Sequence, residues 1–350
     1  MSQKVYVGMS GGVDSSVTAA LLVQQGYDVT GLFMKNWAQD LPGFKCPWRE
    51  DLADAKRVAV QLGIPFKIYD FQDQYKQKVV DYMIAEYKAG RTPNPDIMCN
   101  QEVKFKLFLA TALEDGADMI ATGHYAQAKE GQLIRAVDEN KDQTYFLYRV
   151  TESALKKTLF PLGKMIKPDV RKKASELGLI TAEKKDSVGI CFVGEIGIKE
   201  FLENFVETVP GDIIDTATNQ VVGQHEGALF YTIGQRHGLN VGGGMPYYVV
   251  GKDMSKNQVF VTTDINDKVL WQNEISLTAI HWIDPNQKYP DSTHQLQVRT
   301  RHRAPLIDCT VTQTGSDLQV HLKDEIRALT PGQSAVLYDG EVCLGGGIIV

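Results

Sequence analysis

The sequence predicts a mixed α/β protein: a parallel-sheet domain with helices on both faces, followed by two β-rich modules. Three observations carry this expectation. Short apolar runs alternate with helical stretches through residues 1–122, the pattern of repeated βαβ units. A glycine-rich turn joins the first apolar run to the first helical one. From Pro210 onward the chain changes to short alternating runs punctuated by Pro-Gly, Asp-Gly and Gly-Gly, as in small β modules and barrels.

Taken in order, Val5–Met9 reads as a strand, Ser15–Gln25 as a helix and Asp28–Met34 as a strand. Asp51–Leu62 is helical, Pro65–Phe71 a strand, and Gln72–Ala89 and Glu102–Glu114 are helices before a buried strand at Met119–Thr122. Residues 145–205 read as mostly helical and basic, with Lys156, Lys157, Lys164, Lys167, Arg171, Lys172, Lys173, Lys184 and Lys185. The expected division is a Rossmann-like domain over 1–205, a small central β-rich domain over 206–268, and a C-terminal β-barrel over 269–350. There is no internal repeat and no low-complexity tract.

Composition sets the outer bounds. At 350 residues, with 43% hydrophobic and 23% charged residues, the chain has material for two or three packed domains. No basic-apolar leader opens it and no window approaches a membrane span, so a cytoplasmic protein without membrane contact is expected. Five cysteines, odd in number and irregular in spacing, suit a reducing compartment better than a disulfide framework. The net charge of −6 gives no global support for nucleic-acid binding, so any RNA contact has to come from local basic patches.

The segment Gly8-Met-Ser-Gly-Gly-Val-Asp-Ser15 lies between the first strand and the first helix. Glycines let several backbone N–H groups converge on one point, and a helix N-terminus adds positive potential, so this is a place to hold phosphate. It lacks the Gly-Lys-Ser/Thr ending of a Walker A loop, and its spacing fails the dinucleotide fingerprint.

Two cysteines stand out. Cys99 follows the stiff turn Thr92-Pro-Asn-Pro-Asp-Ile-Met, which is expected to be exposed, and precedes a helix carrying Lys104 and Lys106; a helix N-terminus favours thiolate. Cys191 lies in a glycine-containing turn after Lys184 and Lys185, which favour thiolate too. Both are read as reactive, although burial is the usual fate of a lone cysteine. Cys309 and Cys343 read as strand residues of a β core, and Cys46 as a loop residue. No C-x-x-C spacing suggests a zinc ribbon, and no permanently bound metal is expected; an iron–sulfur cluster on Cys99, Cys191 and a third ligand has little support. In Gln297-Val-Arg-Thr-Arg-His-Arg, strand alternation would put Arg299, Arg301 and Arg303 on one face as a phosphate rail, with His302 opposite.

The glycine loop, Gly31-Leu-Phe-Met-Lys-Asn-Trp, Gly90-Arg-Thr-Pro-Asn-Pro-Asp-Ile-Met-Cys-Asn, Ala121-Thr-Gly-His-Tyr, Lys141-Asp-Gln-Thr-Tyr-Phe-Leu, Asp186-Ser-Val-Gly-Ile-Cys-Phe, Thr232-Ile-Gly-Gln-Arg-His-Gly-Leu and Pro331-Gly-Gln-Ser-Ala together resemble the tRNA-specific 2-thiouridylases of the PP-loop ATP pyrophosphatase superfamily. The resemblance runs from end to end. It implies a PP-loop ATPase domain, ATP with Mg²⁺, and replacement of the 2-oxygen of the wobble uridine by sulfur in tRNAs for Lys, Glu and Gln. It implies a persulfide on Cys191, supplied by an upstream sulfur-relay protein or cysteine desulfurase, and a Cys99–Cys191 disulfide after turnover.

Carried over by position, Gly8, Met9, Ser10, Gly11, Gly12, Val13, Asp14 and Ser15 would hold the phosphates, Met34 the adenine side and Gly123 the nucleotide. Asn94, Pro95 and Asp96 would border the target base, with Asp96 a general acid/base and Cys99 the partner nucleophile. His124, Lys141, Asp142, Gln143, Arg301, His302 and Gln333 would touch tRNA; His302 stands where the family often has an aromatic. Two other readings stand beside this one: an ATP pyrophosphatase that amidates a metabolite, and a non-catalytic tRNA-binding protein with an ATP switch.

Overall fold

The structure is a computed structural model that describes residues 2–40, 42, 46–186, 197–239, 241–242, 244–286 and 295–350. Four parallel strands, β1 (Lys4–Gly8), β2 (Asp28–Lys35), β3 (Phe66–Asp70) and β4 (Met119–Thr122), form a sheet with a short fifth strand, Thr158–Leu159, in the order β3-β2-β1-β4-fifth. Helices α1 (Val13–Gln24) and α2 (Trp48–Leu62) carry the chain from β1 to β3 in one direction. The chain then returns through helical residues 72–114 and adds β4 on the other side of β1. The gap between the C-terminal ends of β1 and β4 is therefore the topological switch point, where open α/β sheets bind ligands.

The helices cover both sheet faces. Val13, Val17, Ala20, Ala55 and Val58 of α1 and α2 share one core with Val5 and Val7. Met83, Val103, Phe105 and Phe108 share the other core with Tyr6 and Leu32. Helix α1 is buried nearly all round, because α2 and the helix Lys167–Glu176 both pack on it.

One predicted boundary changes. The helix expected at Glu102 begins at Pro95, since Asn94 caps it by accepting a hydrogen bond from the Asp96 amide (3.2 Å) and Pro95 suits a first helical turn. Both long helical runs of this region contain π-helical stretches, Lys76–Val80 and Cys99–Phe108.

The β-rich part divides into two sheets. Gly211–Asp215, Gln220–His225, Tyr248–Asp253 and Gln258–Thr262 form a four-stranded sheet around Ile213, Val249, Val259 and Val261. Trp271–Trp282, Asp317–Arg327, Ile307–Thr314, Leu296–Arg299, Ser334–Asp339 and Val342–Ile349 pair in that order, and the last returns to the first, closing an antiparallel barrel. The α/β fold class with two β modules is thus as expected. Outside that expectation is the hairpin Gln127–Lys129/Gln132–Ile134, which leaves the first domain and pairs with the barrel strand at Val342↔Ile134 and Cys343↔Leu133. Its segments are too short and polar to register as strands in sequence.

Candidate active site

The glycine loop sits at the switch point. Gly8 ends β1, the Met9 amide donates to Leu32 O (2.7 Å), and Gly11 turns with φ +77° against the backbone of Asp51, where a Cβ would meet Asp51 O at 2.3 Å. Ser15 Oγ accepts from the Ser10 amide (3.1 Å) and donates to Gly12 O (3.1 Å), drawing the loop closed. Gly12 caps α1 with no side-chain hydrogen bond, so the first N–H groups of the helix remain available to an anion.

Gly123, just after β4, packs on this helix start; a Cβ there would lie 2.8 Å from the Ser15 amide nitrogen. Met34 closes the other flank, its Cε 3.2 Å from where a Gly8 Cβ would be. The residues expected at the nucleotide are thus brought to one strand-end crevice.

Sequence patterns gave no sign of the charges that surround this loop. Helix Lys167–Glu176 packs on α1 through Val170 and Ala174, which turns Lys167 and Arg171 inward. Lys167 Nζ lies 2.7 and 2.8 Å from the two carboxylate oxygens of Asp14, and Tyr125 OH donates to Asp14 Oδ1 at 2.9 Å. Burial, and then the Asp14 charge, raise the Tyr125 pKa, so its phenol stays a donor.

Asp186 accepts ion pairs from Lys167 (2.9 Å), Lys141 (2.8 Å) and Arg171 (2.6 Å). Its burial raises the pKa, but hydrogen bonds from Lys141 and Lys167 outweigh that and hold it at about 2. Lys184 bridges Asp51 and Asp54 at 2.8 and 2.7 Å, so its charge is engaged there. The run of basic residues over 156–185 is therefore not one RNA-facing surface: Lys167, Arg171 and Lys184 point into the site. The i, i+4 spacing of Lys167 and Arg171 puts them on one helix face, but the inward direction depends on how the helix packs.

Asn94, Pro95 and Asp96 form the first turn of the helix that carries Cys99. Cys99 is 2% exposed, a correction to the exposed turn expected from its prolines. It opens the π-helical run ending at Phe108, whose ring is 3.4 Å from the position of a Gly8 Cβ, so the cysteine helix passes beside the loop. Next to Cys99, Asn100 Oδ1 is buried without a hydrogen-bond partner among the described residues. Cys191 lies outside the described residues. Cys309 and Cys343 are buried in barrel strands, and burial pushes the Cys309 thiol up to about 12, which suits inert core residues.

The residues expected at tRNA divide into two groups. Asp142 is 1% exposed; it accepts from the Ala136 amide and Thr144 Oγ1 and pairs with Arg299 at 3.1 Å. Arg299 is itself 6% exposed, and its strand ends there, so the three-arginine rail does not form. His124 is buried between Phe105 and Phe160, with Nδ1 2.8 Å from Thr122 Oγ1; burial and then Lys104 depress its pKa far below the usual imidazole range. These three are interior residues.

Arg301 and Arg303 remain exposed beyond the strand end, with Arg303 at φ +63°. The His302 ring lies 4.5 Å from that of Phe146, tilted by 43°. Gln143 accepts from the Tyr125 amide, and Gln333 donates to Thr92 O at 2.7 Å. Arg301 and Gln333 line a cavity of about 330 Å³ together with Thr232, Ile233, Gly234, Gln235 and Thr330. Among the described residues no helix is long and apolar enough to cross a membrane.

A glycine loop feeding an uncapped helix at the switch point of a parallel sheet is the arrangement in which α/β domains hold anionic ligands. Family models match the whole architecture: a tRNA methyl transferase HUP domain over residues 3–195, a tRNA methyl transferase PRC-barrel domain over 199–263, and an aminomethyltransferase beta-barrel domain over 272–349. A tRNA-specific 2-thiouridylase of Psychromonas ingrahamii is 50% identical across 99% of this chain and 96% of its own length. One of Bacillus subtilis is 48% identical across 99% and 94%. The chain belongs to the tRNA-specific 2-thiouridylases, a family of tRNA-modifying sulfurtransferases.

Proposed function

We propose that the protein uses ATP to adenylate the 2-oxygen of the wobble uridine in tRNAs for Lys, Glu and Gln, and replaces it with sulfur from a persulfide on Cys191. The observation that supports this reading is the glycine loop opening an uncapped helix at the switch point, with Lys167 and Tyr125 on Asp14, in a chain of the 2-thiouridylase family. The uracil oxygen is a poor leaving group until it becomes a phosphate ester, after which it departs with AMP. The loop N–H groups and Lys167 stabilise the charge that develops on the departing pyrophosphate. Among the described residues no three His, Cys, Asp or Glu side chains gather to hold a metal alone. Mg²⁺ would therefore enter on the phosphates, with Asp14 as the carboxylate beside the loop, where it neutralises phosphate charge.

Sulfur then moves as the persulfide's terminal atom to C2. Cys99 attacks Cys191 Sγ, the sulfur–sulfur bond breaks, and the two thiols lose the two electrons that the transferred sulfur gains. The resulting Cys99–Cys191 disulfide needs an external thiol reductant before the next turnover. Asn94, Pro95 and Asp96 border the unstacked base, with Asp96 as acid/base, in keeping with enzymes that act on a base outside its stack.

In this reading Lys141, Gln143, Arg301, His302, Arg303 and Gln333 grip the anticodon arm, while Asp142, Arg299 and His124 act from beneath by fixing the segments that present them. The working compartment is the cytoplasm, and the sulfur comes from a persulfide-carrying relay protein or a cysteine desulfurase. The deciding experiment is mass spectrometry of tRNA incubated with protein, ATP, Mg²⁺ and a persulfide source. A sulfur-for-oxygen mass increment at the wobble uridine, together with AMP, is expected; AMP release without sulfur incorporation would refute the acceptor chemistry.

A further inference from the structure

Asp186 is unusual in how many cations it satisfies. Lys141, Lys167 and Arg171 all reach its carboxylate within 2.9 Å, and Lys167 also touches Asp14 at the glycine loop. Three cations face Asp14 and Asp186, with a third carboxylate, Asp138, on the Lys167 amide, so the charges balance only while Asp186 occupies its place. Arg171 and Lys167 have side-chain anchors other than Asp186, and Lys141 is fixed through its backbone. Arg171 Nη1 donates to Ala182 O (2.9 Å) and Lys184 O (3.0 Å), which leaves Nη2 aimed at the cluster. The Lys167 amide donates to Asp138 Oδ2 at 2.8 Å, and its ammonium is held by Asp14. The Lys141 amide donates to Asp138 O at 3.0 Å, which fixes the backbone that carries its side chain. The side chains of Lys141, Arg171 and Asp186 are 29%, 34% and 35% exposed, so an anion arriving from solvent meets Lys141 and Arg171 first, with Lys167, 10% exposed, behind them.

The geometry points to Lys141, Lys167 and Arg171 as the binding site for the pyrophosphate end of the nucleotide, with the Asp186 carboxylate as an internal anion that occupies this site until phosphate displaces it. The inference rests on the ATP reading above. It gives Lys141 a role at the phosphates as well as at RNA. A phosphate group matches what these donors now bind: oxygen acceptors, anionic, presented to a fixed guanidinium fork and two ammoniums. Because Asp186 stays ionised down to about pH 2, it competes as an anion across the working range.

Calorimetric titration with inorganic pyrophosphate tests this, using the full-length wild type and the variants Asp186→Asn, Lys167→Ala, Lys167→Arg, Arg171→Ala and Lys172→Ala. Lys172 lies on the same helix but is 75% exposed. Lys167→Ala and Arg171→Ala are expected to weaken pyrophosphate binding about tenfold each, the scale of one charge-assisted contact. Lys167→Arg keeps most of the affinity, and Lys172→Ala leaves it unchanged. Asp186→Asn is expected to tighten binding by several fold, a gain that a misfolded variant cannot mimic. Unchanged or weaker binding in Asp186→Asn overturns the placeholder, and an equal loss in Lys172→Ala overturns the specific site. If the wild type binds ATP but none of these variants alters pyrophosphate affinity, the inference alone fails; if the wild type binds no ATP, the reading beneath it fails as well.

Discussion

The Asp142 carboxylate and the Arg299 guanidinium, 157 positions apart in sequence, meet at 3.1 Å with both side chains almost fully buried. Asp142 belongs to the first domain and Arg299 ends a barrel strand, so this contact and the hairpin 127–134 bind the two parts together. Removing one partner leaves an uncompensated buried charge. Asp142→Ala is expected to cost about 3–5 kcal/mol, seen as a lower urea midpoint. The paired change Asp142→Leu with Arg299→Met should recover part of that loss, since apolar replacement of both partners spares the desolvation penalty. An additive loss in the double variant would contradict a direct pair.

The remaining surface arginines give a different signature. Arg301→Ala with Arg303→Ala should weaken tRNA binding and flatten the plot of log affinity against log salt by about 0.7–0.9 for each phosphate that is no longer neutralised. Filter binding from low to moderate salt measures it. Arg299→Ala should instead weaken binding only as far as it destabilises the fold, because its charge is spent on Asp142.

Cys99→Ser and Cys191→Ser are each expected to abolish thiolation, by more than about a hundredfold, while leaving tRNA affinity within about twofold, since neither change alters a charge that meets phosphate. Mass spectrometry of the tRNA and parallel binding curves check both halves. Wild-type thiolation in either variant removes that cysteine from the relay. The near-complete burial of Cys99 adds that thiol-modifying reagents should react slowly with it in the native protein and readily after denaturation.

Stability should fall on acidification in two stages. His302, half-buried and facing Arg303 and Arg299, has its pKa lowered from 6.5 to about 4, first by burial and then by those two charges. Its neutral form is the folded form, so the unfolded chain takes up the proton first, and stability is lost as pH drops from about 6.5 to about 4. Burial lowers His124, His225 and His281 in the same direction. Asp186, held near 2 by its cations, contributes stability above pH 3.8 that disappears as pH falls through about 2. Urea midpoints should decline from about pH 7 to about pH 5, and His302→Gln should decline less.

The sequence alone determined the βαβ order, the glycine turn between the first strand and helix, and the change to β modules near Pro210, because each is written in local periodicity and turn chemistry. It also determined the family, through motifs spread along the whole chain. It misjudged Cys99 because two prolines suggest an exposed turn, whereas Asn94 and Pro95 instead start a helix that buries the thiol. It misjudged Arg299 because period-two alternation says which residues share a face, but not where the strand stops or whether a carboxylate waits on the other side. Only the tertiary structure decided that Lys167 serves Asp14 and that Lys141, Lys167 and Arg171 gather on Asp186. The physical reason is that a charge in sequence has a sign but no partner. Partners come from packing, here of the helix Lys167–Glu176 against α1, and packing brings together residues that nothing in local sequence relates.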